Sequence, residues 1–132
     1  MKQRIRKMNR ILKVQERLKQ EAELKVSLLE REVAELRTAQ EMIIHSMNDH
    51  ETLHGLFVDV AAKRLQALST QEGHAEKAKV AQKAIALDKA MQTKRTEKML
   101  TNLKSQDRRE TEKKDLTSIL ELLVKGASAS FP

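Results

Sequence analysis

The sequence of 132 residues contains no cysteine, tryptophan or tyrosine, and its only aromatic residues are Phe57 and Phe131. Without cysteine there are no disulfides and no cysteine-based metal or redox chemistry, which fits a reducing compartment. Without aromatic rings a compact core loses its usual largest contributors, so any core here is thin and aliphatic. Proline occurs once, at Pro132, and glycine only at Gly55, Gly73 and Gly126, so long stretches carry no helix or strand breaker. No apolar run approaches the roughly 18 residues of a membrane span, and the basic amino-terminal region has no apolar segment of the secretory kind behind it. The chain is therefore read as cytoplasmic, touching a membrane at most peripherally.

What remains is rich in Lys, Glu, Leu, Ala, Gln and Arg, side chains that lose little freedom in a helix, and the fold class expected is all-α. The formal charge of +7 is concentrated at one end. Residues 1–20 carry eight cations (Lys2, Arg4, Arg6, Lys7, Arg10, Lys13, Arg17 and Lys19) against the single anion Glu16, and the rest of the chain is balanced.

With Ile5 at heptad position a, one frame runs from Met1 to Leu68. Its a positions are Ile5, Leu12, Lys19, Val26, Val33, Gln40, Met47, His54, Ala61 and Leu68. Its d positions are Met1, Met8, Gln15, Ala22, Leu29, Leu36, Ile43, His50, Phe57 and Arg64. Fourteen of these twenty residues are apolar, and a stripe phased for that long marks a left-handed coiled coil. Ser69 to Gly73 interrupts the pattern, with Ser69 and Glu72 at capping-box spacing. The expected architecture is a long antiparallel two-helix hairpin over residues 1–126, with helix 1 at about 2–68, a turn near 69–74 and helix 2 at about 74–125. Gly126 is its expected C-cap, and 127–132 form a disordered tail. In helix 2 the seam is read through Ala81, Ala84, Met91, Leu116, Ile119 and Leu123, with the polar Arg95, Lys98, Asn102, Ser105, Arg109 and Glu112 in frame between them and Met99, Leu100 and Leu103 joining only after a phase slip. Val26, Leu29, Val33 and Leu36 then face a charged strand and stay partly available to a second copy.

His50-Glu51-Thr52-Leu53-His54 satisfies H-E-x-x-H, in which two imidazoles one helical turn apart hold zinc and the glutamate activates water. A two-helix coil offers no walled cleft, and Phe57 stands where the extended motif has glycine, so a zinc hydrolase is the distant alternative. The simpler reading sets His50 and His54 in adjacent seam layers as a polar register device, with Asn48, Asp49 and Gly55 weakening the helix locally into a kink. A basic segment followed by heptads also invites comparison with DNA-binding zippers. Here, however, Ile5, Met8 and Leu12 carry the apolar seam through the cationic stretch, and nucleic acid is not an expected partner. A cationic flank for an acidic protein surface fits better. No enzymatic constellation, cofactor site or metal site is assigned.

The basic start entering directly into heptads (Ile5-Arg6-Lys7-Met8, then Ile11-Leu12-Lys13-Val14-Gln15-Glu16-Arg17-Leu18), the length, the expected turn near position 71 and the charged second helix resemble the FliJ/YscO family of type III secretion, flagellar or virulence. The resemblance is one of layout and covers essentially the whole chain. It implies a helical hairpin similar to the central stalk of rotary ATPases. Its end carrying both termini would dock on a hexameric export ATPase, with contacts to the export gate or to substrate chaperones. The residues expected to carry that docking are Arg4, Arg6, Lys7, Arg10, Lys13 and Arg17, beside Leu116, Leu120 and Leu123. A structural coiled-coil scaffold that forms homo-oligomers is the alternative.

Overall fold

The computed structural model describes residues 1–49 and 56–129, and among these every residue except Met1 is helical. Helix α1 spans Lys2–Asp49 and helix α2 spans Leu56–Ala129. The two pack against each other as an antiparallel hairpin. α1 owes little to its ends, whereas α2 has Asp59 in its first turn. α1 has no acidic residue in its first turn and no basic residue in its last, and its amino terminus carries Lys2 and Arg4 against the sign the helix dipole favours. Long helices of this kind are held by burial of a stripe against a partner rather than by propensity and caps alone.

The α1 stripe follows the expected frame. Every a and d position from Ile5 to Met47 is buried or half-buried, with Val33 at 2% exposure the most enclosed apolar residue. The turn lies elsewhere than expected. Residues 69–74 are inside α2, and Gly73 sits in continuous helix with open space where a Cβ would project. α1 instead ends at Asp49 and α2 begins at Leu56, and the residues between them, where the sequence favoured only a kink, lie outside the described residues. His50, Glu51 and His54 lie outside the described residues. Gly126 does not cap α2, which continues through Ala127 to Ala129; the remainder of the expected tail, 130–132, is also outside the described residues.

Moving the turn resets the pairing of the two helices, because in an antiparallel hairpin the position of the reversal fixes which residues stand level. With a turn at 69–74, Val26 to Leu36 would face Asp107, Glu110 and Lys114. With the observed reversal, α2 offers a different stripe: Ala61, Leu65, Leu68, Glu72, Ala75, Lys79, Gln82, Ala86, Lys89, Thr93, Thr96, Leu100, Leu103 and Asp107, all buried or half-buried. These recur at strict alternation of three and four, so Leu100 and Leu103 need no phase slip. Ala81, Ala84 and Met91, expected in the seam, face outward.

The hairpin divides into two compact units, Met1–Glu16 with Gln92–Pro132 (unit 1) and Arg17–Met91 (unit 2). In unit 2 the seam joins Ala22, Val33 and Ala75, all buried, with the stems of Lys79 and Lys89 covering apolar surface beside small alanines. Polar links between the helices run antiparallel. Gln82 Nε2 donates to the Ala22 carbonyl at 3.4 Å, and Lys83 approaches Glu30 at 3.5 Å. Arg37 Nε donates to Glu72 Oε1 at 2.6 Å and its Nη2 to Glu76 Oε1 at 2.9 Å, while Gln40 Nε2 donates to Glu72 Oε2 at 2.7 Å. The hydrogen bond from Arg37, reinforced by that from Gln40, holds the Glu72 carboxyl below the usual carboxylate range, and the same bond raises the Arg37 guanidinium. Glu72 is therefore a seam residue recruited by ion pairing, where the sequence pattern had placed a turn. Val33 is buried and Val26, Leu29 and Leu36 are half-buried in this seam, so they meet α2 and not a charged strand.

In unit 1 the α2 seam is polar. Thr93 and Thr96 are buried at 2% and 6% exposure, and among the described residues of this unit only Leu100, at 5%, is a buried large apolar side chain. From the other strand Ile5, Met8, Asn9, Leu12 and Gln15 are half-buried. Gln15 Oε1 is enclosed and has no hydrogen-bond partner, a costly feature in a thin core.

Candidate functional site

Burial along α2 stops at Asp107. Residues 108–127 are all exposed, about 30 Å of helix at 1.5 Å per residue. The cause is numerical: with α1 ending at Asp49 and α2 beginning at Leu56, α1 runs out of residues to pair with α2 beyond about 107. Leu116, Leu120 and Leu123, expected beside the cationic residues 1–20, instead lie on this uncovered stretch at 58%, 54% and 64% exposure. They share unit 1 with Arg4, Arg6, Lys7, Arg10 and Lys13, all exposed; Arg17, also exposed, falls in unit 2.

The orientation of the distal stripe is set by counting. Continued past Asp107, the α2 seam frame passes through Glu110, Lys114, Thr117 and Glu121, which are polar. Leu116 and Leu120 each precede a seam-frame position by one residue, so the apolar face is rotated about 100° from the side that meets α1. Ile119 and Leu122, also exposed, widen it. A stripe that merely continued the intramolecular coil would keep the frame. This one is rotated away from it.

Charge divides between the units in the same way. Unit 1 carries fifteen cations and seven anions, a net +8, and unit 2 carries eleven and twelve, a net −1. Unit 1 thus combines a strong positive field, able to steer an acidic partner, with an uncovered apolar helix face. Sequence reasoning found both ingredients. It missed Thr93, Thr96 and the Arg37–Glu72–Glu76 cluster, although the three-four spacing from Leu65 to Asp107 was there to be counted.

A second concave surface lies in unit 2, an open groove of about 690 Å³ lined by Met42, Ile43, Met47, Phe57, Val58 and Ala61 among others. Among the described residues Arg64 and Ser46 supply its polar side chains, and none of these lining residues is a carboxylate or an imidazole. Among the described residues no group of three or more His, Cys, Asp or Glu side chains is placed to hold a metal ion, and no helix is long and apolar enough to cross a membrane. The chain matches no protein-family model, and comparison with characterised proteins and with solved structures likewise returns no match.

Proposed function

We infer that the protein is a non-enzymatic coiled-coil component of a type III, flagellar-type protein export apparatus, working in the cytoplasm and docking through unit 1 on the export ATPase. The observation that carries this reading is the separation of charge, +8 in unit 1 against −1 in unit 2. A connector between two machines needs chemically distinct ends, and a field of this size accelerates encounter with an acidic ring surface. The exposed Arg4, Arg6, Lys7, Arg10 and Lys13 supply the attraction, and Leu116, Leu120 and Leu123 supply apolar contact once docked. The family resemblance supplies the identity of the partner, with chaperones or the export gate as further contacts.

Mixing the protein with the hexameric export ATPase tests it. The expected result is a rise in ATP hydrolysis or ring assembly that fades with salt and disappears when Arg4, Arg6, Lys7 and Arg10 are changed to Glu. An unchanged ATPase removes the reading. A structural scaffold is the second reading, favoured by the distal apolar face, which is exposed among the described residues.

A further inference from the structure

We propose that the distal stretch of α2 pairs with the α1 amino-terminal stretch of a second copy, giving a twofold dimer. The distal stripe has a counterpart on α1. Ile11, Val14 and Leu18, at 46%, 58% and 42% exposure, form an apolar stripe outside the seam, each one residue before a seam position. Their spacing of three then four is repeated by Leu116, Ile119 and Leu123. A single constant offset therefore sets Ile11 against Leu116, Val14 against Ile119 and Leu18 against Leu123 as consecutive layers of a parallel coil.

Direction agrees with spacing. Within one copy α2 runs antiparallel to α1. An end-to-end twofold reverses it, so the distal stretch of one copy runs parallel to α1 of the other, as the matched order demands. The contact is also wider than one helix. Met99 precedes its seam neighbour Leu100 by one residue, as Ile11 precedes Leu12, and in an antiparallel pair residues that precede the seam on both helices flank it on the same side. Ile11, Val14 and Met99, 52% exposed, thus border one groove of unit 1. The broad face that Leu120 adds to the distal stripe suits a groove between two helices.

One layer towards the amino terminus, the same offset brings Lys7 against Glu112, a complementary pair; the layer beyond sets Arg4 against Arg109 and ends the match. Because the interface is isologous, each copy contributes both stripes. At roughly 60 Å² of newly covered apolar area per half-exposed side chain, the two contacts bury about 1,000 Å². That area suits a reversible dimer. The two net +8 units repel each other, so added salt tightens the dimer, the opposite of its effect on docking to an acidic partner.

Sedimentation equilibrium of the full chain tests this without any ATPase, so its outcome is independent of the export reading. The expected result is a concentration-dependent dimer, tighter in salt, whose Kd rises roughly a hundredfold in Ile119→Glu with helicity unchanged. Because the chain has no cysteine, single variants Val14→Cys and Ile119→Cys report the register directly: mixed, they form a disulfide with each other in preference to themselves. A strict monomer near millimolar concentration overturns the proposal. So does a self-linked Ile119→Cys product in place of the mixed one. A monomer that binds anionic phospholipid vesicles through the distal stretch overturns it too, assigning the stripe to a lipid surface.

Discussion

Units 1 and 2 are built from the same two helices, yet they close the seam with different chemistry. Unit 2 interleaves Ala22, Val33 and Ala75 and ties the edges with Arg37, Glu72 and Glu76. Unit 1 has Thr93, Thr96 and Gln15 in the equivalent layers, with Leu100 as its one buried large aliphatic among the described residues. An apolar layer contributes stability through every methylene it hides, whereas a polar layer contributes little once its hydrogen bonds are exchanged for those with water. The contrast teaches that the hairpin is held chiefly by unit 2, while unit 1 presents charge and apolar surface outward.

The sharpest way to break this comparison is to place the same charge at two aliphatic positions. Val33→Asp buries an unpaired carboxylate at a site 2% exposed and is expected to cost about 3 kcal/mol, read as a large fall in thermal midpoint by circular dichroism. Leu116→Asp, at a site 58% exposed, should stay within about 0.5 kcal/mol at dilute, monomeric concentrations. Equal costs at the two sites would show that the distal stretch is covered within the chain. Gln15→Leu sharpens the comparison from the other side. It removes an enclosed carbonyl oxygen without a partner and should stabilise unit 1 by about 1 kcal/mol, measured by denaturant unfolding.

How far the sequence could be read depends on which physical signal is local. Helix and seam in α1 were legible because Ile5 to Met47 repeat every seven residues, and that period is a property of one segment. The turn was not, because Ser69, Glu72 and Gly73 carry a local capping signal that pairing overrides: Glu72 meets Arg37 and Gln40 across the hairpin, a partnership no single segment reveals. The exposed end residues Arg4 to Lys13 were legible from charge, but the place of Leu116, Leu120 and Leu123 inherited the error in the turn. Gly73→Ala tests the correction. In continuous helix with nothing near the missing Cβ it should stabilise by about 0.5–1 kcal/mol, whereas at a turn needing glycine it would destabilise.

The smallest expected effect concerns the ion cluster that distinguishes unit 2. Glu72 titrates below the usual carboxylate range in the folded chain because Arg37 and Gln40 donate to it. Its unfolded value is the ordinary one, so the folded state binds fewer protons and the contribution is fully present above that ordinary value. As pH falls through the ordinary range towards the depressed folded value, the contribution is lost. The thermal midpoint should therefore decline over that acidic window, and Glu72→Gln should flatten the decline. Arg37 is 57% exposed on its side chain, so salt screens the pair and the difference between parent and variant should shrink as ionic strength rises. The cost of Val33→Asp should change far less with salt, since it comes mainly from withdrawing the carboxylate from water. A pH slope identical in parent and variant would mean that Glu72 is held in the seam by its stem against α1 and not by its charge.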